Sequence, residues 1–589
     1  MCGIAGMMTV TGATPAAEIL RLMAAALLHR GPDGEGHYAK DSVALVQRRL
    51  AIIDLTTGDQ PLFGPGGAAL VANGEIYNYV ELRATMPDTK FTTQSDCELP
   101  LHLYRKHGLD FARHLRGMYA IAIHDPAAGK LILSRDPFGI KPLYYAETPE
   151  GFAFASEPQA LIQSGVVMPK LVPQKRDELL QLHFTTGRAT IFENVNRMLP
   201  GETLVIAKGR IAERRRIEAL PGGGMLNIGE SEARAELDRI WADSVNMHQR
   251  SDVPYGMFLS GGIDSSAVLA MMARLNKKPV CAFTIGFSGT RVADERALAK
   301  KVAASFGAEH HEIEFGEQDF WRLLPQVAVA LDDPAADYAV LPTFKLAAAA
   351  RKAGLKVILS GEGGDELFAG YGRYRRAMRP KWLGGREMRA RGTLEGLGIL
   401  RAENPAWRDG LSTAAREAKK AGRTRLQIAQ AADCADWLPN DLLTKLDRCL
   451  MAHGVEGRTP FLDPVVADFA FRLPDRLKVK DGLGKSLLRG WLAEHAAVAE
   501  PFSKKRGFTV PVGEWIAKEG VRLGALVAKQ DSVRAICHAG KVEEVFRAAN
   551  EKRAGFAAWS LLFYALWHRT HIERRSAAPD VFAMLESRD

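Results

Sequence analysis

Cysteine at position 2 has the most chemistry to offer in this sequence. Removal of Met1 would leave a thiol and an α-amino group on one residue. A thiol titrates at about pH 8.5 and an α-amino group at about 7.7 to 8, so a modest environmental shift lets the amine take the thiol proton near neutrality. Nucleophile and base are then the same residue, and no separate histidine is required. Small buried cysteines are common in any core, so the rest of the chain has to support this reading.

Two further clusters carry chemistry. Ser260-Gly261-Gly262-Ile263-Asp264-Ser265-Ser266 follows an apolar strand pattern and precedes an apolar-periodic helix, where backbone N–H groups and a helix N-terminus converge on an anion. The glycines let phosphate oxygens approach the backbone. No lysine completes a G-K-[ST] signature, so this is a nucleotide loop of a different kind. Asp264 is placed to hold magnesium, which prefers carboxylate and phosphate oxygens. Ser360-Gly361-Glu362-Gly363-Gly364-Asp365-Glu366 sets three carboxylates in one turn, an arrangement that calls for a cation, with Asp365 as the second metal ligand.

The elements that must position these groups differ between the two parts of the chain. Up to about residue 218, short apolar or alternating segments at 43–46, 69–72, 119–124 and 131–134 are separated by Gly and Pro turns and predict a strand-rich domain. The glycine cluster at 219–232 predicts a linker that ends in a helix cap at Ser231. From 233 to 589, strands at 255–259, 280–285 and 356–359 alternate with helices at 267–275 and 296–306. That alternation predicts a parallel sheet with helices on both faces, and both glycine–acid loops would leave the same carboxyl edge, where ligands bind in such folds. The Ala/Arg/Leu-rich stretch 375–435 and the residues after 512 predict extra helices.

Bulk properties narrow the function classes. The 589 residues are 47% hydrophobic, enough for two domains with substantial cores. The net charge of +9 is dispersed, and the densest basic runs, Arg214 to Arg216 and Lys504 to Arg506, are short, which argues against nucleic acid as a partner. Six cysteines without C-x-x-C or metal-ligand spacing predict reduced thiols and a cytoplasmic setting. Neither a signal peptide nor a membrane span is expected.

The motifs, taken in order, resemble the glutamine-hydrolysing asparagine synthetase family over nearly the whole chain. M-C-G-I-A-G at 1–6, H-R-G-P-D at 29–33, R-L-A-I-I-D-L at 49–55, N-G-E-I-Y-N at 73–78, S-D-C-E at 95–98 and R-D-P-F-G-I-K-P-L-Y-Y at 135–145 look like a class II, N-terminal-nucleophile glutaminase. S-D-V-P-Y-G at 251–256, the two loops, D-R-C-L-M-A-H at 447–453, T-P-F-L-D at 459–463 and K-K-R-G-F at 504–508 look like the family's ATP pyrophosphatase domain. The resemblance implies an N-terminal α+β sandwich of antiparallel sheets between helices. It implies an α/β parallel-sheet domain with extra helices after it.

It also implies roles. Cys2 is the nucleophile, and Asn73 with Gly74 forms the oxyanion hole. Arg49 pairs with the glutamine α-carboxylate, Glu75 and Asp96 hold its α-ammonium, and the backbone of Leu50, Ala51, Ile52 and Ile53 lines the pocket. Phe258, Leu259 and Ile285 meet adenine, while Ser260, Gly261, Gly262, Asp264, Ser265, Ser266, Ser360 and Gly361 surround the rest of ATP. Glu362 serves acyl-adenylate formation, Lys505 stabilises charge at the α-phosphorus, and Asp264 and Asp365 bind Mg2+. The implied reaction amidates a carboxylate with glutamine nitrogen at the expense of ATP, in a homodimer, without membrane or nucleic acid. Aspartate is the first choice of acceptor; sugar, peptide and ring-precursor carboxylates are alternatives, and a regulatory module with a retained glutaminase fold is the non-enzymatic one. Two departures stand out. Gln47 occupies a position where many relatives have histidine, read here as a packing change, and the stretch 331–342 lacks an arginine that some asparagine synthetases carry there.

Overall fold

The strand Cys2–Thr9 lies at the centre of a six-stranded antiparallel sheet, between Val43–Arg49 and Gly151–Ala155. Its sequence is a continuous apolar run because both faces are covered: residues 2–8 are all buried. One face packs through Ile4 and Met8 onto Val71, Ala120, Ala122, Leu131 and Leu133 of a second six-stranded sheet. The other meets the helices Ala17–Ala26 and Pro158–Gln163 through Ala5, Met7, Leu20, Met23 and Leu161. The second sheet carries Ala69–Ile76, which ends on the N-G-E-I motif, between Leu62–Phe63 and Gly117–Asp125. Helix Leu99–His107 covers its outer face. The result is the expected sandwich of antiparallel sheets between helices. The computed structural model describes residues 2–292, 294–379, 385, 388–503 and 509–587.

After the strand Arg210–Arg216, residues 217–229 form no helix or strand, and the helix Glu230–His248 opens the second half. Ser231 is not its cap. Gly229 takes the extended capping conformation, and Glu230 and Glu232 lie in the first turn where acids favour the helix dipole. Five parallel strands follow in the spatial order Glu309–Phe315, Cys281–Phe287, Tyr255–Phe258, Val357–Leu359 and Glu456–Arg458. Parallel pairing requires crossovers, and Ile263–Leu275, Arg296–Ser305 and Val340–Lys352 supply helices there. The first of these begins four residues before the expected 267, because Gly262 in the nucleotide loop caps it directly.

The stretch 375–435 is only partly helical. Residues 388–404 form turns and bends around Gly392, Gly396 and Gly398, and the helices Asp409–Ala418 and Arg425–Ala432 follow. The latter continues into a π-helical segment, Asp433–Leu442. Beyond 512 the chain is helical as expected, and Lys552–His571 hydrogen-bonds through Trp559 and Trp567 to the carbonyls of Ala336 and Leu331 at 2.7 and 3.0 Å. Among the described residues no helix is long and apolar enough to cross a membrane. Two arginines of the exposed basic strand Arg210–Arg216 pair with neighbours, Arg214 with Tyr145 and Glu202 and Arg215 with Glu213.

Candidate active sites

At the end of the first sheet, Cys2 is paired in register with Arg49. Both are buried, at 7% exposure each. The Cys2 main-chain nitrogen, the atom that Met1 removal would free as an amine, donates to Asn73 Oδ1 at 3.1 Å. That bond turns Asn73 Nδ2 away, and this buried donor has no hydrogen-bond partner among the described residues. An unsatisfied buried donor is costly, and one beside a candidate nucleophile suits the oxygen of a tetrahedral intermediate. Gly74 is fixed by contact: its φ is 156°, and a Cβ there would lie 2.1 Å from the Met118 carbonyl oxygen.

Arg49 reaches Asp59 Oδ1 at 2.6 Å and the Asp54 carbonyl at 2.5 Å. Its fork is therefore aimed but tied to an exposed acid that a substrate carboxylate can replace. Glu75 and Asp96 are both nearly fully buried. Burial, followed by repulsion from Glu456 and Asp96, pushes the Glu75 carboxyl well above the usual range. Burial pushes Asp96 up to about 6, against the pull of the Ile76 N–H, which donates at 2.6 Å. Arg458 pulls both carboxyls down, yet burial keeps them raised, so a further cation such as an α-ammonium is favoured between them. Leu50, Ile52 and Ile53 are buried where this pocket meets the second half. Ala51 is half-buried, its N–H on Asp33 at 2.9 Å.

In the parallel sheet, Tyr255–Phe258 and Val357–Leu359 are neighbours with Met257 opposite Leu359, so both glycine–acid loops leave one edge side by side. Gly361 and Gly364 make the approach feasible: a Cβ on either would fall 2.8 Å or less from Asp264. Ser265 Oγ lies 3.1 Å from the Ser260 N–H and braces the loop, and Ser266 is buried in the first helical turn. Phe258 ends the first of these strands and Leu259 follows it, its N–H donating to the Phe283 carbonyl at 2.8 Å, and Ile285 lies on the adjoining strand. Ser360 is held by its N–H on the Arg458 carbonyl at 2.8 Å, and Glu362 by its N–H on Ser360 Oγ at 3.2 Å.

Sequence reasoning missed the cation at this edge. Lys485, almost fully buried with φ 62° at the start of helix Ser486–His495, bridges Asp264 and Asp365, the latter at 2.6 Å. Burial opposes its charge, but the two carboxylates override that and hold its pKa above the ordinary lysine value. Its only sequence signal is the turn Asp481 to Lys485 before a helix. Lys505, expected as the phosphate-facing lysine, lies outside the described residues. Two acids that share one ammonium can also share one Mg2+, and their oxygen donors suit it. Lys445 was also missed. It faces Glu362 at 3.4 Å and Asp337 at 3.1 Å, while burial raises the Glu362 carboxyl above its usual value.

A buried ionic network joins the two sites. Arg30 donates to the Cys2 carbonyl at 3.2 Å, to Glu157 at 2.7 Å and to Asp447 at 2.8 and 3.1 Å. Arg448 continues to Asp332 at 2.9 Å. Arg458, fully buried on Glu456, stands 3.6 Å from Glu75. The H-R-G-P-D and D-R-C-L-M-A-H motifs thus meet across the boundary, a role their spacing did not disclose.

An amino-terminal glutaminase-type sandwich whose cysteine is linked through Arg30 to Asp447 of a parallel-sheet domain defines a two-part glutamine amidotransferase. Comparison with known proteins agrees in both parts. Residues 1–216 match the glutamine amidotransferase domain family and residues 236–569 the asparagine synthase family. The chain is 32% identical to "Asparagine synthetase [glutamine-hydrolyzing] 1" of Bacillus subtilis (strain 168), over 98% of each chain. It is 29% identical to "Asparagine synthetase B [glutamine-hydrolyzing]" of Escherichia coli (strain K12), over 88% of this chain and 83% of that one. "Amidase chry2" of Gibberella zeae is 31% identical over 64% of this chain and 60% of its own. The protein belongs to the glutamine-hydrolysing asparagine synthetase family.

Proposed function

We propose that the protein makes asparagine from aspartate, taking nitrogen from glutamine and cleaving ATP to AMP and pyrophosphate. The observation that carries the glutaminase part is the buried Asn73 Nδ2 beside Cys2, without a partner among the described residues. Cys2 attacks the side-chain amide, its proton passing to its own α-amine, while Asn73 Nδ2 and the Gly74 N–H receive the oxyanion. Ammonia leaves with that proton, and water then releases glutamate from the thioester. Arg49 orients the substrate carboxylate, and Glu75 with Asp96 its ammonium.

At the second edge, Asp264 and Asp365 would hold Mg2+, which when bound balances the charge of departing pyrophosphate. Lys485 supplies fixed positive charge between the same two loops, and Glu362 with Lys445 faces the acceptor. Activation as an adenylate gives an anionic carboxylate a leaving group and removes its charge. Free ammonia is mostly protonated in neutral water, so passage through the protein interior between the sites preserves the nucleophile. We read the molecule as a homodimer that works without nucleic acid.

A second reading keeps the mechanism and changes the acceptor to another carboxylate. It draws on the 331–342 segment, which has no arginine, and on the similarity to a protein named as an amidase. The test supplies glutamine, ATP, magnesium and aspartate and measures asparagine, AMP and pyrophosphate. Equal amounts of the three support aspartate. Glutamate formation with aspartate-independent AMP release, or no AMP at all, points to another acceptor.

A further inference from the structure

A carboxamide buried in an apolar core is costly unless both ends are used, and Gln47 is 1% exposed on the inner face of the first sheet. Cys2 stands opposite Arg49 and Ile4 opposite Gln47, so the side chains of 2, 4, 47 and 49 share that face. The earlier residues of the row, Val43 and Leu45, belong to the core between the sheets. At Gln47 the row turns polar, on the diagonal that reaches the sulfur, and Nε2 lies 2.9 Å from Cys2 Sγ. The substitution is therefore not a packing change.

We propose that Gln47 is a catalytic residue of the glutaminase site, a hydrogen-bond donor without a titrating proton that stabilises the Cys2 thiolate and aims its lone pair at the substrate amide. The proposal rests on Cys2 being the nucleophile. In the step it assists, the S–H bond breaks, the proton moves to the α-amine of Cys2, and the freed sulfur pair forms the bond to the glutamine amide carbon. Gln47 keeps its own protons throughout. An N–H donor to an anion is about twice as strong as one to a neutral group, so the contact favours the thiolate over the thiol.

The site needs such a donor. Burial pushes the thiol upward and the amino terminus and the Leu50 N–H pull it back, while Glu75 adds a smaller push and Arg49 a smaller pull. Among the described residues the charged and titratable groups around the sulfur are Arg49 beside Gln47, Glu75 on the facing sheet, Cys97 and Asp96 in the short helix Asp96–Glu98, and Arg30 on the Cys2 carbonyl, with the amino terminus beside them. No imidazole stands among them. The proton that leaves the thiol is therefore taken by the amine rather than by an imidazole.

The test measures the rate of Cys2 alkylation by iodoacetamide against pH in the full-length protein, with peptide mapping to isolate Cys2 from the other five cysteines. Gln47→Met keeps the volume and removes the donor; its alkylation midpoint is expected about one pH unit above that of the unsubstituted protein. Gln47→Glu, an acceptor once ionised, moves it further in the same direction. Gln47→His restores a donor and adds a second ionisation at about pH 6 to 7. The acid limb of glutaminase kcat/KM moves in parallel, while ammonia-driven ATP cleavage, unchanged, confirms an intact fold. An unchanged midpoint in Gln47→Met, or a downward shift in Gln47→Glu, overturns the proposal. Alkylation needs no glutamine, so a protein that proved unable to hydrolyse glutamine would refute the glutaminase reading and leave this measurement decisive for Gln47.

Discussion

The two ends of the reaction are prepared in opposite ways. Around Cys2, charge and hydrogen-bonding capacity are left unsatisfied: Asn73 Nδ2 has no partner among the described residues, and Glu75 and Asp96 are two buried acids with raised pKa values. At the nucleotide loops a cation is already in place, since Lys485 bridges Asp264 and Asp365. The difference follows the ligands. Glutamine is a small zwitterion whose ammonium and developing oxyanion fill both deficits, so a rigid sandwich can wait for it. ATP brings several negative charges and its own cation, so a lysine between the two acids lowers their mutual repulsion before it arrives.

Breaking one end should leave the other working. Cys2→Ala is expected to lower glutaminase turnover at least about 1,000-fold, while ammonia-driven synthesis persists; equal loss of both would mean that the sites are not separable. Asp365→Ala should do the reverse, cutting AMP formation at least about 100-fold and sparing glutamate release. Asn73→Ala removes the waiting donor and should cost about 100- to 1,000-fold in glutaminase kcat, with glutamine KM little changed. A large KM effect instead would place Asn73 in ground-state binding.

The smallest expected effect comes from pH. Asp96 titrates at about 6 in the fold against 3.8 unfolded, so the folded state binds the extra proton in that window. Its contribution to stability therefore falls as pH rises through it. Protonated Asp96 cannot hold an ammonium, so glutamine KM should climb below pH 6, by up to about tenfold per unit. The KM for ammonia-driven acceptor use should not follow. A flat glutamine KM between pH 5 and 7 would show that glutamine binding does not depend on the Asp96 charge.

Much of this contrast was legible in the sequence because it is local. The Cys2 strand, the N-G-E motif and both glycine–acid loops announce themselves by residue type and by position between a strand and a helix. What stayed hidden depends on distance along the chain. Lys485 is 221 residues from Asp264, and Arg30 meets Asp447 across 417; no periodicity links such pairs. Gln47 was misread for a related reason. Its spacing from Arg49 shows that it shares a strand face, but only the antiparallel register opposite Ile4 reveals that this face holds the sulfur. Ser231 was misplaced because Gly229 competes for the same cap.

Everything begins with a free thiol and amine on residue 2. Treating the active protein with a glutamine-mimicking diazoketone and mapping the adduct by mass spectrometry tests this directly. We expect one adduct per chain, on Cys2 at a mature amino terminus, with glutaminase activity lost in proportion. An adduct on another residue, or full glutaminase activity in protein that retains Met1, would contradict the account.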